Sequence, residues 1–131
     1  MASYQITVPG RPVPKVRMTQ RSKWSPRAQA SLQYQERVAW SAKAQTRHAQ
    51  LFGPVRLSVW VYLRPTQRGL LPENRPDLSN VIKAIEDGLQ YGGIVKNDRQ
   101  IIEYGMSGYR LDYNERVEIT LEEISDEGVA V

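Results

Sequence analysis

The sequence Arg75-Pro-Asp-Leu-Ser-Asn-Val-Ile-Lys-Ala-Ile-Glu-Asp-Gly-Leu89, followed by Ile94-Val-Lys-Asn-Asp-Arg-Gln100, decides the fold of this chain. Pro76 keeps the chain extended as it enters this stretch. Asp77 then stands where a carboxylate can accept the unpaired backbone N–H groups at the start of a helix. The sequence therefore predicts that a helix begins at Asp77.

The residues after Asp77 have a helical pattern on two faces. An apolar stripe at helical spacing comprises Val81, Ile82, Ile85 and Leu89. A polar face, at positions i, i+4 and i+8, carries Ser79, Lys83 and Asp87. We expect Gly88 and the run at 91–93 to end this helix. A short apolar strand at 94–95 is then expected to bring Asp98 back beside the helix start, so that two acids and a lysine converge.

These motifs resemble the RusA family of Holliday-junction resolvases, whose hallmark is Arg-Pro-Asp-x-Asp-Asn-x-x-Lys, then Asp-Ala-Leu and Asp-Asp-x-Gln. The positions that match in residue type and spacing are Asp77, Asn80, Lys83, Asp87, Asp98 and Gln100. Ser79 replaces the second aspartate, and Asn97 replaces the first acid of the Asp-Asp pair. The likeness extends over nearly the whole chain. It implies a homodimeric, magnesium-dependent endonuclease that nicks opposing strands of a four-way DNA junction and is typically encoded by a phage or prophage.

The predicted catalytic residues are Asp77, Lys83 and Asp98. Carboxylates alone would repel a phosphodiester, whereas Mg²⁺ held between them and the phosphate reverses the local charge and activates water. We predict Asp77 and Asp98 as Mg²⁺ ligands, with Ser79 and Asp87 as further candidates and Mn²⁺ as a substitute metal. Lys83 either stabilises charge at the reacting phosphate or pairs with Asp87 one turn away.

Composition limits the chemistry of the site. The chain has 131 residues, which is enough for one domain, 1–131. It has no cysteine and one histidine, so a metal must be held mainly by oxygen, as Mg²⁺ and Mn²⁺ are. No membrane span, signal-peptide core or small organic cofactor is predicted, and we expect a cytoplasmic protein.

Charge is distributed unevenly along the chain. Residues 1–56 contain ten Lys or Arg and a single acid, Glu36. Such a basic half is typical of proteins that bind the phosphates of nucleic acids. The predicted DNA contacts are Arg11, Lys15, Arg17, Arg21, Lys23, Arg64 and Arg68.

The rest of the chain predicts a strand at 4–8, a basic loop at 9–24, a helix from Pro26 to about residue 48, and a strictly alternating strand at 55–64. After Asp98, strands are predicted at 100–109 and 117–121. The order β-α-β-α-β-β indicates the α/β class, in its α+β form, with a small mixed sheet and two main helices. We expect Trp24 to lie in the core rather than to stack on a base.

Two functional alternatives remain open at the level of sequence. Because Ser79 and Asn97 replace family acids, the chain could instead be a catalytically weakened or inactive protein of the same fold that binds branched DNA. An RNA-binding module is less favoured, since no ribonucleoprotein aromatic motif is present.

Overall fold

A computed structural model describes residues 2–19 and 21–125. Within these residues the elements are β1 (Ser3–Pro9), α1 (Pro26–Thr46), β2 (Val55–Leu63), α2 (Leu78–Tyr91), a 3-10 turn (Asp98–Gln100), β3 (Ile101–Tyr104), β4 (Gly108–Leu111) and β5 (Arg116–Glu123). No helix of this part of the chain is long and apolar enough to cross a membrane.

The described strands form one mixed sheet in the order β1-β5-β2-β3, with β4 also paired to β2. The β1–β5 and β5–β2 pairs are antiparallel, whereas β3 and β4 run parallel to β2. A mixed sheet with two helices confirms the predicted α+β class.

The predicted strand at 100–109 is wrong in detail, because it is divided into β3 and β4. The backbone N–H of Gly105 donates to Leu57 O at 2.8 Å, and Ser107 Oγ accepts the Val59 N–H at 2.9 Å. The interruption is therefore still bonded to β2. A Cβ at Gly105 would overlap Ser58 Oγ, so a larger residue here would force the Ser58 side chain to move.

The alternation predicted for β2 is confirmed. Its inward residues, which are fully buried, are Val55, Leu57, Val59, Val61 and Leu63. They join apolar residues of α1 and α2 in a single core. The opposite face of β2 is covered by arginines of neighbouring strands: the Arg110 guanidinium lies 4.0 Å from the Trp60 ring and that of Arg116 lies 3.9 Å from the Tyr62 ring.

The prediction that Trp24 lies in the core is wrong, since 74% of its surface is exposed. Its ring lies outside the core, with Lys23 Nζ 5.6 Å from the ring centroid. An exposed aromatic flanked by a cation is available to stack on a base.

Gly88 does not end α2, contrary to the prediction from sequence. The helix continues to Tyr91 with Gly92 as its C-cap, so the run at 91–93 ends it as predicted. Gly88 instead lies against α1, where a Cβ would be 2.6 Å from Val38 Cβ and 2.9 Å from Gln35 O. The glycine therefore allows the two helices to pack closely.

We expect Gly88→Ala to destabilise the protein by about 1–3 kcal/mol, because overpacking outweighs the better helix propensity of alanine. The free energy of unfolding, from urea titration, measures the effect. Gly53→Ala is the control, since a Cβ at Gly53 meets nothing within 4 Å. Equal stability of the two variants would show that α1 and α2 can separate at no cost.

Candidate active site

Asp77 is the N-cap of α2, as predicted. Its Oδ1 accepts the Ser79 hydroxyl at 2.7 Å and the Asn80 backbone N–H at 3.1 Å. The Ser79 hydrogen bond is the main cause that lowers the Asp77 pKa, followed by the Asn80 N–H, and Lys83 lowers it further. Asp77 is therefore an ionised carboxylate at neutral pH.

Tyr109, which was not predicted from the sequence to belong to the site, contacts the residue that precedes the N-cap of this helix. Its hydroxyl donates to Pro76 O. Burial raises the Tyr109 pKa, so the hydroxyl keeps its proton and remains a donor. The Arg75 guanidinium lies 5.5 Å from the ring centroid. These groups line a cleft of about 400 Å³ beside Asp77.

Asp98 opens the 3-10 turn, which is capped by Asn97. Asn97 Oδ1 accepts the Arg99 N–H at 2.9 Å. The residue that replaces a family acid therefore stabilises the start of this turn. The Asp98 carboxylate accepts no hydrogen bond from the described residues and is exposed. It is therefore open to an external ligand.

The electrostatic neighbours of Asp98 include Glu86 and Tyr104, neither of which was predicted to belong to the site. Tyr104 OH donates to Glu86 Oε2 at 3.1 Å. Burial is the main cause that raises the Glu86 pKa, and the negative charges of Asp98 and Asp87 raise it further. One weak signal for Glu86 is its spacing, since it lies seven residues after Ser79 and thus near the same helix face.

Asp87 forms its ion pair with Lys15, whose Nζ lies 2.8 Å from Asp87 Oδ2. The alternative pairing of Asp87 with Lys83 is not formed among the described residues. Lys83 instead acts electrostatically on Asp77. The structure thus brings Asp77, Ser79 and Lys83 together, and places Asp87 beside Lys15 and Glu86.

The basic loop is attached to the same helix. Lys15 N donates to Asn80 O at 3.0 Å, and Arg11 Nη2 lies 3.2 Å from Asn74 O. Between this loop and the start of α1 is a groove of about 500 Å³, lined by Lys15, Val16, Arg17, Ser22, Ser25, Arg27, Ala28 and Asn80. Arg27 was not among the predicted DNA contacts, because its place in the groove depends on how the loop folds back over α1.

The other predicted DNA contacts lie in different surroundings. Arg21 and Lys23 belong to the basic loop before α1. Arg64 follows β2, and its backbone N–H donates to Glu115 Oε2 at 3.0 Å. Arg68 is exposed in the loop between β2 and α2.

The donors of this site match Mg²⁺ in chemistry, because they are carboxylate and hydroxyl oxygens. Among the described residues, however, no group of three or more His, Cys, Asp or Glu lies close enough to hold a metal ion. Mg²⁺ is commonly held by one or two carboxylates together with water and substrate phosphate. The carboxylates predicted as ligands, Asp77 and Asp98, have the oxygen donors that this mode of binding uses.

A small α+β domain with an ionised carboxylate and a lysine at the start of α2, an exposed carboxylate at Asp98 and a basic groove has the features of a nucleic-acid-binding phosphodiesterase. The chain matches the family described as Endodeoxyribonuclease RusA over residues 9–122. It therefore belongs to the RusA endodeoxyribonuclease family. No curated protein matches the chain.

Membership of this family implies Holliday-junction resolvase activity and binding to branched DNA. Resolvases of this family generally depend on a divalent metal. The matched range includes both helices and the 3-10 turn that carries Asp98.

Proposed function

We propose that this protein is a magnesium-dependent, structure-specific endodeoxyribonuclease that resolves four-way junctions by paired, symmetric nicks. The observation that carries the proposal is the start of α2. There an ionised Asp77, held by Ser79 and Asn80, lies within electrostatic reach of Lys83. A carboxylate and an ammonium in this arrangement suit a metal-assisted phosphodiester hydrolysis.

In the proposed reaction, Asp77 and Asp98 would hold the metal, with Mn²⁺ able to replace Mg²⁺. When bound, the metal lowers the pKa of a ligand water and neutralises charge on the phosphate. Asp77 is ready to bind it because its hydrogen bonds already favour the charged form. Lys83 stabilises the charge that develops on the phosphate, or donates a proton to the leaving oxygen.

Ser79 and Asp87 have different parts in this proposal. Ser79 adds a neutral hydroxyl beside Asp77, which is a weaker ligand for a hard dication than a carboxylate. Asp87 is engaged by Lys15 at 2.8 Å, so its contribution is to hold the basic loop against α2. We therefore propose Asp87 as a neighbour of the metal site rather than a ligand.

A homodimer fits the substrate. Resolution of a four-way junction requires cuts at two symmetrically placed phosphodiesters. A two-fold dimer presents two equivalent sites related by the same symmetry. Size-exclusion chromatography with light scattering tests this part of the proposal.

The groove beside α1 offers a path for the DNA backbone toward the site. Arg17 and Arg27 line it, and Asn80, on the first turn of α2, lies at its wall. Its charged lining residues are all cations. Lys15 is already paired with Asp87, so Arg17 and Arg27 are the cations left for phosphate. Arg11, Arg21, Lys23, Arg64 and Arg68 are proposed to make the remaining DNA contacts.

We expect the double variant Arg17→Gln/Arg27→Gln to bind junction DNA more weakly and with less salt dependence. The slope of log affinity against log salt is negative, and each lost phosphate contact reduces its magnitude by about 0.9, so the magnitude should fall by about two. Fluorescence anisotropy between low and physiological salt measures it. Lys43→Gln, on the last turn of α1, is the control. An unchanged slope in the double variant would remove the groove from the DNA path.

A second candidate function is a catalytically weakened protein that binds branched DNA. Two observations favour it: Ser79 is not an acid, and no group of three acids converges among the described residues. One measurement distinguishes the two functions: cleavage of a labelled four-way junction with Mg²⁺ and with chelator. Paired nicks that require Mg²⁺ support the nuclease, whereas tight binding without cleavage supports the alternative.

A further inference from the structure

The side-chain amide of Gln100 is bonded on both sides by backbone groups. Its Oε1 accepts the N–H groups of Lys96 and Asn97, at 2.7 and 3.1 Å. Its Nε2 donates to the carbonyl oxygens of Leu51 and Gly53, at 2.7 and 3.0 Å. A glutamine amide has two donor hydrogens and two acceptor lone pairs. These contacts within the described residues therefore use its full bonding capacity.

The four bonds connect two segments that are distant in sequence. One is the connection between α1 and β2, which contains Leu51 and Gly53. The other is the loop before the 3-10 turn, which leads directly into Asp98. Leu51 N also donates to Ile94 O at 2.8 Å, and Leu51 forms a parallel bridge with Val95. The residues before Asp98 are thus fastened to the edge of the core.

Asp98 lies between residues that Gln100 holds, but its carboxylate accepts no hydrogen bond from the described residues. Among the hydrogen bonds of the described residues, only those around its backbone therefore hold Asp98 in place. We infer that Gln100 is a positioning residue, which fixes the Asp98 carboxylate through the backbone of the 3-10 turn and the loop before it. This inference rests on the proposed function, in which Asp98 binds the metal.

Two substitutions of Gln100 change its hydrogen bonds while keeping the side chain close to its original size. Gln100→Met keeps the length but removes all four hydrogen bonds. Gln100→Glu keeps an acceptor for the Lys96 and Asn97 N–H groups, but places a negative charge against the carbonyl oxygens of Leu51 and Gly53. Both variants should therefore impair cleavage, Gln100→Met because all four bonds are lost and Gln100→Glu because two bonds are replaced by repulsion.

The experiment measures junction cleavage by Gln100→Met and Gln100→Glu across a magnesium titration, together with junction affinity. We expect Gln100→Met to lose about tenfold or more in kcat and to need more Mg²⁺, since a metal ligand that is less well held binds less tightly. The junction Kd should be unchanged. Gln33→Met, at an exposed position of α1, is the matched control.

Amide hydrogen exchange gives a second readout, independent of activity. In Gln100→Met the N–H groups of Lys96 and Asn97 should exchange faster, while those of β2 keep their protection. Wild-type kcat and magnesium dependence, despite faster exchange at these two amides, would overturn the positioning role. Loss of the cooperative melting transition would also overturn it, by assigning Gln100 to the stability of the fold. If the wild type itself did not cleave, the proposed function would fail and the inference with it.

Discussion

Asp98→Asn is expected to abolish junction cleavage and to leave junction binding intact or tighter. The substitution preserves shape but replaces an open carboxylate with a neutral amide. Loss of a residue that merely supports a metal ligand costs about 10–100-fold in metal affinity or activity, so loss of a ligand should cost at least about 100-fold. Binding survives because removing a negative charge lessens repulsion of the phosphate backbone. Cleavage rates at saturating Mg²⁺ and gel-shift affinities measure the two effects.

The matched control is Glu36→Gln, which also neutralises one exposed acid but lies on α1. It raises the net charge by the same amount, so any tighter binding caused by charge alone should appear in both variants. Full magnesium-dependent activity of Asp98→Asn would remove Asp98 from the site. A fall in activity of equal size in Glu36→Gln would point to global charge rather than to a lost ligand.

Ser79→Asp is expected to lower the magnesium concentration needed for cleavage, on the order of tenfold, since affinity for hard cations rises with the number of carboxylates. The new acid would stand beside Asp77, whose Oδ1 now accepts the Ser79 hydroxyl at 2.7 Å. Without metal the two carboxylates repel, so the pKa of one of them should rise. Asp77 still caps α2 through the Asn80 N–H, and thermal stability in chelator should therefore change little.

Ser79→Ala is the control for this variant, because it removes the hydroxyl without adding charge. It should not lower the magnesium midpoint. It should raise the Asp77 pKa toward its ordinary value, because the Ser79 hydrogen bond is the main cause that lowers it. A lowered carboxylate pKa stabilises the fold above the unfolded-state pKa, and this stabilisation is lost as pH falls through the folded-state value. In Ser79→Ala this stabilisation should accordingly be smaller, and its loss should be complete at a higher pH than in wild type.

A magnesium midpoint that is the same in Ser79→Asp and wild type would show that position 79 is not at a ligand position. If Ser79→Asp unfolded in chelator, residue 79 would instead be needed for the structure of the helix start. Either result would leave Asp77 and Asp98 to be tested by their own variants.

The sequence by itself determined the elements that depend on neighbours in the chain. Asp77 was predicted to cap α2, and β2 was predicted from its alternation, because capping and periodicity are local properties of a helix or strand. The predicted family was also confirmed, since its motif is a matter of residue type and spacing. The prediction that Gly88 ends α2 was wrong, because sequence alone does not distinguish a glycine that permits close helix packing from one that ends a helix.

Only the tertiary structure decided which side chains support the site. Lys15, rather than Lys83, pairs with Asp87, and Tyr104 meets Glu86 across 18 residues. Tyr109 reaches Pro76 across 33 residues, and Gln100 reaches Leu51 across 49. No local periodicity encodes such contacts. The Tyr104 and Tyr109 contacts form because β3 and β4 pair with β2 and carry these side chains to α2 and to the residue before its cap. Lys15 comes instead from the basic loop, and Gln100 from the 3-10 turn before β3.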